Sequence, residues 1–309
     1  MLLADAATQA AAGWSWNPLT DIDLMWSYPF MVNAFRAGTV IAVLAAAVGW
    51  FVVLRRQTFA AHTLALVGFP GASGAVLLGI SAGIGYFAFC VTAAVVLALL
   101  PRAGGLRGPG GSPGGSHEGE ESALTGTVQA FLLACGFLFV ALYKGFLGGV
   151  NALLFGSFLG ITDSQVTLLA AVAVVVLAVL AAIGRPLLFA SVDEAVARAR
   201  GVRTKLLSTA FLMLLGAATA EASQITGSLL VFALLVMPAA TAQVLSPRPA
   251  VSLLLAVVIA LAVTWLGLTA ACFSVYPVGF YVTTFAFGAY VLAKLATQAR
   301  PILRRAVTA

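Results

Sequence analysis

The chain has 309 residues, of which 62% are hydrophobic and only 8% charged, and its mean hydropathy is +1.08. Soluble domains carry roughly 25% charged residues, so this composition excludes an ordinary soluble enzyme and specifies an all-α, polytopic helical membrane protein with one domain over 1–309. The net charge of +6 does not point to nucleic acid, because the basic residues gather at the ends of apolar runs, where the positive-inside rule accounts for them.

Residues 1–29 lack the basic start and apolar core of a signal peptide. Their Trp14, Trp16, Trp26 and Tyr28 suit an extracellular, interfacial segment leading into the first span. That span is predicted over 30–54 and stops at Arg55-Arg56, so it enters the cytoplasm there and the N-terminus lies outside. Residues 59–101 are long enough for two crossings of about 30 Å, with their turn expected in Gly79–Gly85. Gly68-Phe-Pro-Gly71 interrupts the first of the two and is expected to break its hydrogen-bond ladder.

Gly104–Ser122 is low in complexity and reads as a flexible cytoplasmic loop. Its His117, Glu118, Glu120 and Glu121 read as solvated linker residues, because nothing rigid would hold them as metal ligands. A fourth span follows over 124–143. The glycine-rich run 145–161 is too short and interrupted for a clear crossing and suits a re-entrant segment. The fifth span covers 166–183.

Arg185 to Lys205 is the most charged loop in the chain, and that charge keeps it in the cytoplasm. Pro186 is expected to close the preceding helix. Ser191 then stands as an N-cap, Asp193 and Glu194 fall in a first turn, and Gly201 follows a last one. The loop therefore predicts a short helix, acidic at its start and basic at its end, with a small apolar face of Val192, Ala195, Val196 and Ala199. Such a face suits docking on another protein.

Residues 206–245 just fit two crossings if the turn is tight, and the polar run Glu221–Gly227 is the place for it, on the outer side. Ser246-Pro-Arg-Pro249 returns to the cytoplasm. Further spans over 251–271 and 280–297 lead to Arg300, Arg304 and Arg305. The total is nine spans with a cytoplasmic C-terminus, or eight if one weak span merges.

No nucleophile–base constellation and no GxxxxGK[ST] phosphate loop occurs, so the chain neither catalyses a reaction nor binds ATP in that way. Cys90, Cys135 and Cys272 lack metal or disulfide spacing and read as small apolar residues. Ion-coupled transporters usually need several intramembrane carboxylates, and here Glu221 is the main candidate. That poverty counts against a secondary transporter, as the glycine- and proline-broken spans count against a passive scaffold. A pathway protein driven by a partner fits best.

Four blocks occur in order: Phe51-Val-Val-Leu-Arg-Arg56, Pro70-Gly71, Arg185-Pro-Leu-Leu through Val202, and Gly227-Ser-Leu-Leu-Val-Phe-Ala-Leu-Leu-Val-Met-Pro-Ala-Ala-Thr-Ala242. Together they resemble the membrane permease subunit of the zinc/manganese/iron-type ATP-binding-cassette importers, over roughly 29–295. The resemblance implies an importer-type cassette permease fold in the plasma (inner) membrane. It also implies a homodimer of permeases, a cytoplasmic ATPase dimer that uses the ATP, and an extracellular metal-binding protein, with no cofactor in this chain. The loop helix becomes the ATPase-coupling element, carried by Ser191, Asp193, Glu194, Ala195, Ala199 and Gly201. The cargo it implies is a divalent metal, zinc or manganese.

One departure from the family bears on the metal. After Arg-Arg the family reads approximately Met-Ser-Phe-x-Gly-Asp-Ala-Leu-Ser-His, whereas this chain reads Gln57-Thr-Phe-Ala-Ala-His62-Thr-Leu-Ala-Leu66. An Asp and a His one helical turn apart offer a cation an oxygen and a nitrogen; here a single imidazole, His62, stands with Leu66. His62 reads equally as a ligand, completed by a second copy across a dimer, or as a membrane-edge histidine satisfied by a hydroxyl or carbonyl. Glu221 and Gln224 are further metal-attracting candidates at the outer mouth, where a turn wants polar residues in any case. A cassette permease for another small solute or a chelated metal stays open as the alternative, with a secondary transporter behind it.

Overall fold

Tyr28 is extended, and Pro29 follows it at the first helical position, where its missing N–H costs nothing and its φ is already helical. In the computed structural model, which describes residues 25–99, 116–143, 156, 160–274 and 276–307, this start gives α1, Pro29–Leu54. Arg55 caps it, Arg56 takes φ 55°, and the Gln57 N–H returns to Val52 O at 2.9 Å. After that tight reversal α2 runs Thr58–Leu77.

Helix α2 does not break at Gly68-Phe-Pro-Gly71, contrary to the sequence expectation. It stays helical through Pro70, whose carbonyl accepts from Ser73 Oγ at 3.2 Å. The glycines allow close packing instead: a Cβ at Gly71 would stand 2.5 Å from Gly85 O on the next helix. That helix, α3, spans Ala82–Leu99 after a turn in which Gly79 has φ 75°. Helix α4 is Ser116–Leu142. It begins inside the stretch expected to be a flexible loop; residues 104–115 of that stretch lie outside the described residues, as do 1–24 of the N-terminal segment and most of 145–161.

Helix α5 runs Asp163–Val192, longer than predicted at both ends. Thr162 and Gln165 form a reciprocal capping box at its start. At its end Pro186 does not close the helix. Proline removes one ladder bond, and burial of Leu187 and Ala190 carries the helix past it. The short helix α6 is Glu194–Ala199.

Helix α7, Thr204–Leu245, contains one non-helical residue, Gly227, at φ 76° and ψ 156°. Only glycine adopts that conformation readily, and the chain doubles back there. Ser208, near the start of α7, accepts from Arg55, while Gln243, near its end, donates to Trp50 O at 2.9 Å. Both ends of α7 therefore reach the same end of α1. Helices α8, Pro249–Cys272, and α9, Val278–Val307, complete the fold.

The hairpin α7 is the hub, packing against α1, α2, α3, α5, α8 and α9. Helices α1 and α2 are mostly buried, whereas α5 and α9 are mostly exposed. Among the described residues six helices are long and apolar enough to cross a membrane. Ala82–Ala98, Gly126–Leu142 and Leu230–Leu245 are shorter apolar helices.

Candidate functional site

His62 lies in the second turn of α2, half-buried, and faces the second arm of α7. Its imidazole meets the ring of Phe232 at a centroid separation of 4.6 Å and an interplanar angle of 65°. The neighbouring Thr63 is engaged elsewhere, bonding Phe59 O and Gln129 Oε1, each at 3.1 Å. Nδ1 of His62 is buried and has no hydrogen-bond partner among the described residues. A buried nitrogen without a partner costs free energy, and in the tautomer that carries its proton on Nε2 it is a lone-pair donor. Leu66, one turn on, is buried and apolar, so it adds no ligand.

Glu221 and Gln224 are brought together. The reversal is made by Gly227 alone, so residues 221–226 remain helical and the i, i+3 pair shares a face. Gln224 Nε2 donates to Glu221 Oε2 at 3.5 Å. Glu221 is only 3% exposed. Gln224 is wedged on α3, its Oε1 lying 2.6 Å from where a Cβ on Gly83 would stand.

His62 and this pair are not at one level. Cys90 Sγ donates to Leu64 O at 3.4 Å, and Gly216 abuts Cys90 and Ala94, so Leu64, Cys90 and Gly216 mark a common depth. Helices α2 and the first arm of α7 both run antiparallel to α3. His62 is two residues before Leu64 and Glu221 five after Gly216, which separates them by about 10 Å in depth. Among the described residues no group of three or more His, Cys, Asp and Glu stands together to hold a metal. One chain thus offers a lone imidazole at one level and an acid–amide pair at another.

The loop helix differs from its predicted form. Asp193, not Ser191, is the N-cap of α6, its carboxylate accepting from the Val196 N–H at 2.9 Å. Ser191 belongs to the last turn of α5, where its Oγ donates to Leu187 O at 2.6 Å. Glu194 pairs with Arg198 at 2.5 Å, and that hydrogen bond holds its carboxyl below the usual range. Gly201, φ 81°, closes the helix: its N–H returns to Arg198 O and that of Val202 to Ala197 O, a Schellman termination. Ala197 is buried against the bundle, while Ala195, Val196 and Ala199 are exposed. The small apolar face is exposed among the described residues.

Two residues at these sites were not singled out as functional from the sequence. Phe232 sits in a long apolar block with nothing local to mark it as the partner of His62. Arg55 reads from the sequence as a topology marker, and only the fold shows what it bonds.

The model of the ABC 3 transport family matches residues 27–297 of this chain. A manganese import system permease protein of Streptococcus parasanguinis is 28% identical over 221 residues, covering 72% of this chain and 74% of that protein. A chelated iron transport system membrane protein of Yersinia pestis is 29% identical over 234 residues, covering 76% and 75%. Among solved structures, a chain of PsaBC from Streptococcus pneumoniae in complex with Fab has the same fold, with a TM-score of 0.76 at 22% identity. The match covers 89% of this chain and 94% of that one.

Proposed function

The chain belongs to the ABC 3 transport family, and from that premise we propose that it is the permease subunit of an importer that carries a divalent metal, manganese or zinc, into the cytoplasm. It is a multi-pass membrane transport component, and ATP is hydrolysed on a separate subunit. The observation that carries the metal reading is the buried Nδ1 of His62, without a partner among the described residues, a borderline nitrogen ligand suited to these cations. One imidazole does not make a site, so two permeases related by a two-fold axis would each bring His62 to a shared path. Glu221 and Gln224 would form a second station about 10 Å along it. The manganese import permease among its relatives supports this choice of cargo.

The arginine-rich loop and the Arg55–Arg56 turn support a cytoplasmic position for α6 and for the C-terminus. With the three shorter apolar helices counted as crossings, nine spans put the N-terminus outside. The free face of α6 would then dock on the ATPase, and an extracellular binding protein would deliver the metal at the opposite end. Membrane-impermeant thiol labelling of Arg200→Cys, in a background without the native cysteines, checks the orientation: the site should be shielded in intact cells.

The direct test is uptake into proteoliposomes holding the permease, its ATPase and its binding protein. ATP-dependent entry of Mn²⁺ or Zn²⁺ is expected. A second reading, a chelated metal as cargo, is favoured by the apolar Leu66 beside the lone imidazole and by the chelated iron relative. Uptake that requires the chelator would select it.

A further inference from the structure

Arg55 joins three elements at the end of α1. Its Nη1 donates to Ser191 Oγ at 3.2 Å, its Nη2 donates to Ser208 Oγ, and its guanidinium carbon lies 5.6 Å from the centroid of the Phe211 ring. Ser191 is in the last turn of α5, just before α6 begins; Ser208 and Phe211 are in the first turns of α7, just after the loop ends. One side chain thus holds both stems of the α6 loop. The Ser191 hydroxyl hydrogen is committed to Leu187 O, which leaves its lone pairs for the guanidinium. The charge of Arg55 also reaches Glu194 on α6 and helps keep its carboxyl ionised.

The backbone of Arg55 is tied to the end of α1, and that of Gln57 joins the end of α1 to the start of α2. The Arg55 N–H returns to Phe51 O, Gln57 N–H to Val52 O, and Ala61 N–H to Gln57 O. Only Arg55, Arg56 and Gln57 separate α1 from α2, and His62 follows within two turns. The connection has no slack, so a displacement of the loop stems is carried to α2.

We propose that Arg55 is a positioning residue that transmits movement of α6 to the turn before α2, and so to His62. The proposal rests on the reading of this chain as an ATP-driven permease. The planar fork of arginine is what the site needs: it spans two hydroxyls in fixed directions while lying over Phe211. A lysine, as a point charge, cannot do all three.

The test uses the complete complex of permease, ATPase and binding protein in proteoliposomes, with Arg55→Gln, Arg55→Lys and the exposed-neighbour control Arg56→Gln. Both Arg55 variants should assemble and hydrolyse ATP. Manganese carried per ATP should fall roughly tenfold in Arg55→Gln, the scale of one lost charge-assisted hydrogen bond, less in Arg55→Lys, and not in Arg56→Gln. A merely structural role would lower the amount of complex and leave that ratio alone; an unchanged ratio in Arg55→Gln overturns the proposal. Amide hydrogen exchange over 194–202 in the full-length permease gives a readout that needs no transport. It should quicken about tenfold in Arg55→Gln and in the Ser191→Ala, Ser208→Ala double variant. Exchange identical to the parent overturns the anchoring. A parent complex that moves no metal counts against the transport reading, while the exchange result still decides the role of Arg55.

Discussion

The imidazole of His62 on α2 stands edge-on to the ring of Phe232 on the second arm of α7, with centroids 4.6 Å apart. The contact orients a histidine whose Nδ1 has no partner among the described residues. It therefore joins the candidate ligand to the element that packs on most of the fold. An aromatic pair of this kind is worth about 0.5–1.5 kcal/mol beyond burial. Phe232→Leu should retain assembly but let the imidazole turn, weakening metal uptake several-fold, mainly through a raised apparent KM. Uptake kinetics of the purified complex check this; a parental KM would show that the ring is only packing.

Restoring the family face is a separate experiment. His62→Asp with Leu66→His places an oxygen and a nitrogen ligand one turn apart on α2. The double variant should retain transport and accept a wider set of cations, read by competition of zinc, cobalt and nickel against radiolabelled manganese. Leu66→His alone buries an imidazole at a site now apolar and should lower the yield of folded protein.

Close helix packing makes a third prediction. A Cβ on Gly49 of α1 would overlap Leu235 O on α7, so Gly49→Ala must push the two backbones apart. Overpacking of that kind costs about 1–3 kcal/mol, which should show as a lowered melting temperature in detergent. Gly288 in α9 has nothing within 4 Å of such a Cβ, so Gly288→Ala should be neutral or slightly stabilising.

Bulk on α6 should separate docking from folding. Ala195→Trp and Ala199→Trp project from the exposed face and should leave the permease folded but uncoupled from its ATPase. Ala197→Trp fills a fully buried position and should destabilise the loop itself. Co-purification of ATPase and metal carried per ATP distinguish the two: parental values for Ala195→Trp would mean that this face is not the docking surface.

The Glu194–Arg198 pair gives a pH dependence with a definite sign. The folded carboxyl titrates below its ordinary value of 4.5, chiefly through the Arg198 hydrogen bond. Its contribution to α6 is present above that ordinary value and is lost as pH falls through the lowered one. Amide exchange over 194–202, corrected for intrinsic rates, should show constant protection from pH 8 down to 5 and a fall only in stronger acid. Glu194→Gln should remove that step.

Much of the architecture was legible because punctuation marks it. Pro29 and Pro249 start α1 and α8, and Arg55–Arg56 closes α1. The polar run before Gly227 located the reversal of α7 within a few residues. Where local rules failed, tertiary contacts had prevailed. Pro186 reads as a stop, but burial of Leu187 and Ala190 carries α5 on and moves Ser191 from a cap to a partner of Arg55. Gly68 to Gly71 read as a break, whereas their small size serves packing on α3. His62 was legible from the motif around it. Its unpartnered nitrogen and Phe232 were not, since both depend on where the distant second arm of α7 lies. Glu221 and Gln224 read as part of a turn and are helical, with Glu221 buried and Gln224 half-buried, because one glycine does all the turning.

The central claim is that metal passes the imidazole of His62. The most direct measurement is uptake of radiolabelled manganese and zinc by cells without their own importers that express this permease with its ATPase and binding protein. His62→Leu, which keeps the volume and removes the nitrogen, should abolish uptake while leaving the amount of assembled complex unchanged. Uptake by His62→Leu equal to that of the parent would contradict the account and leave Glu221 and Gln224 as the residues to follow.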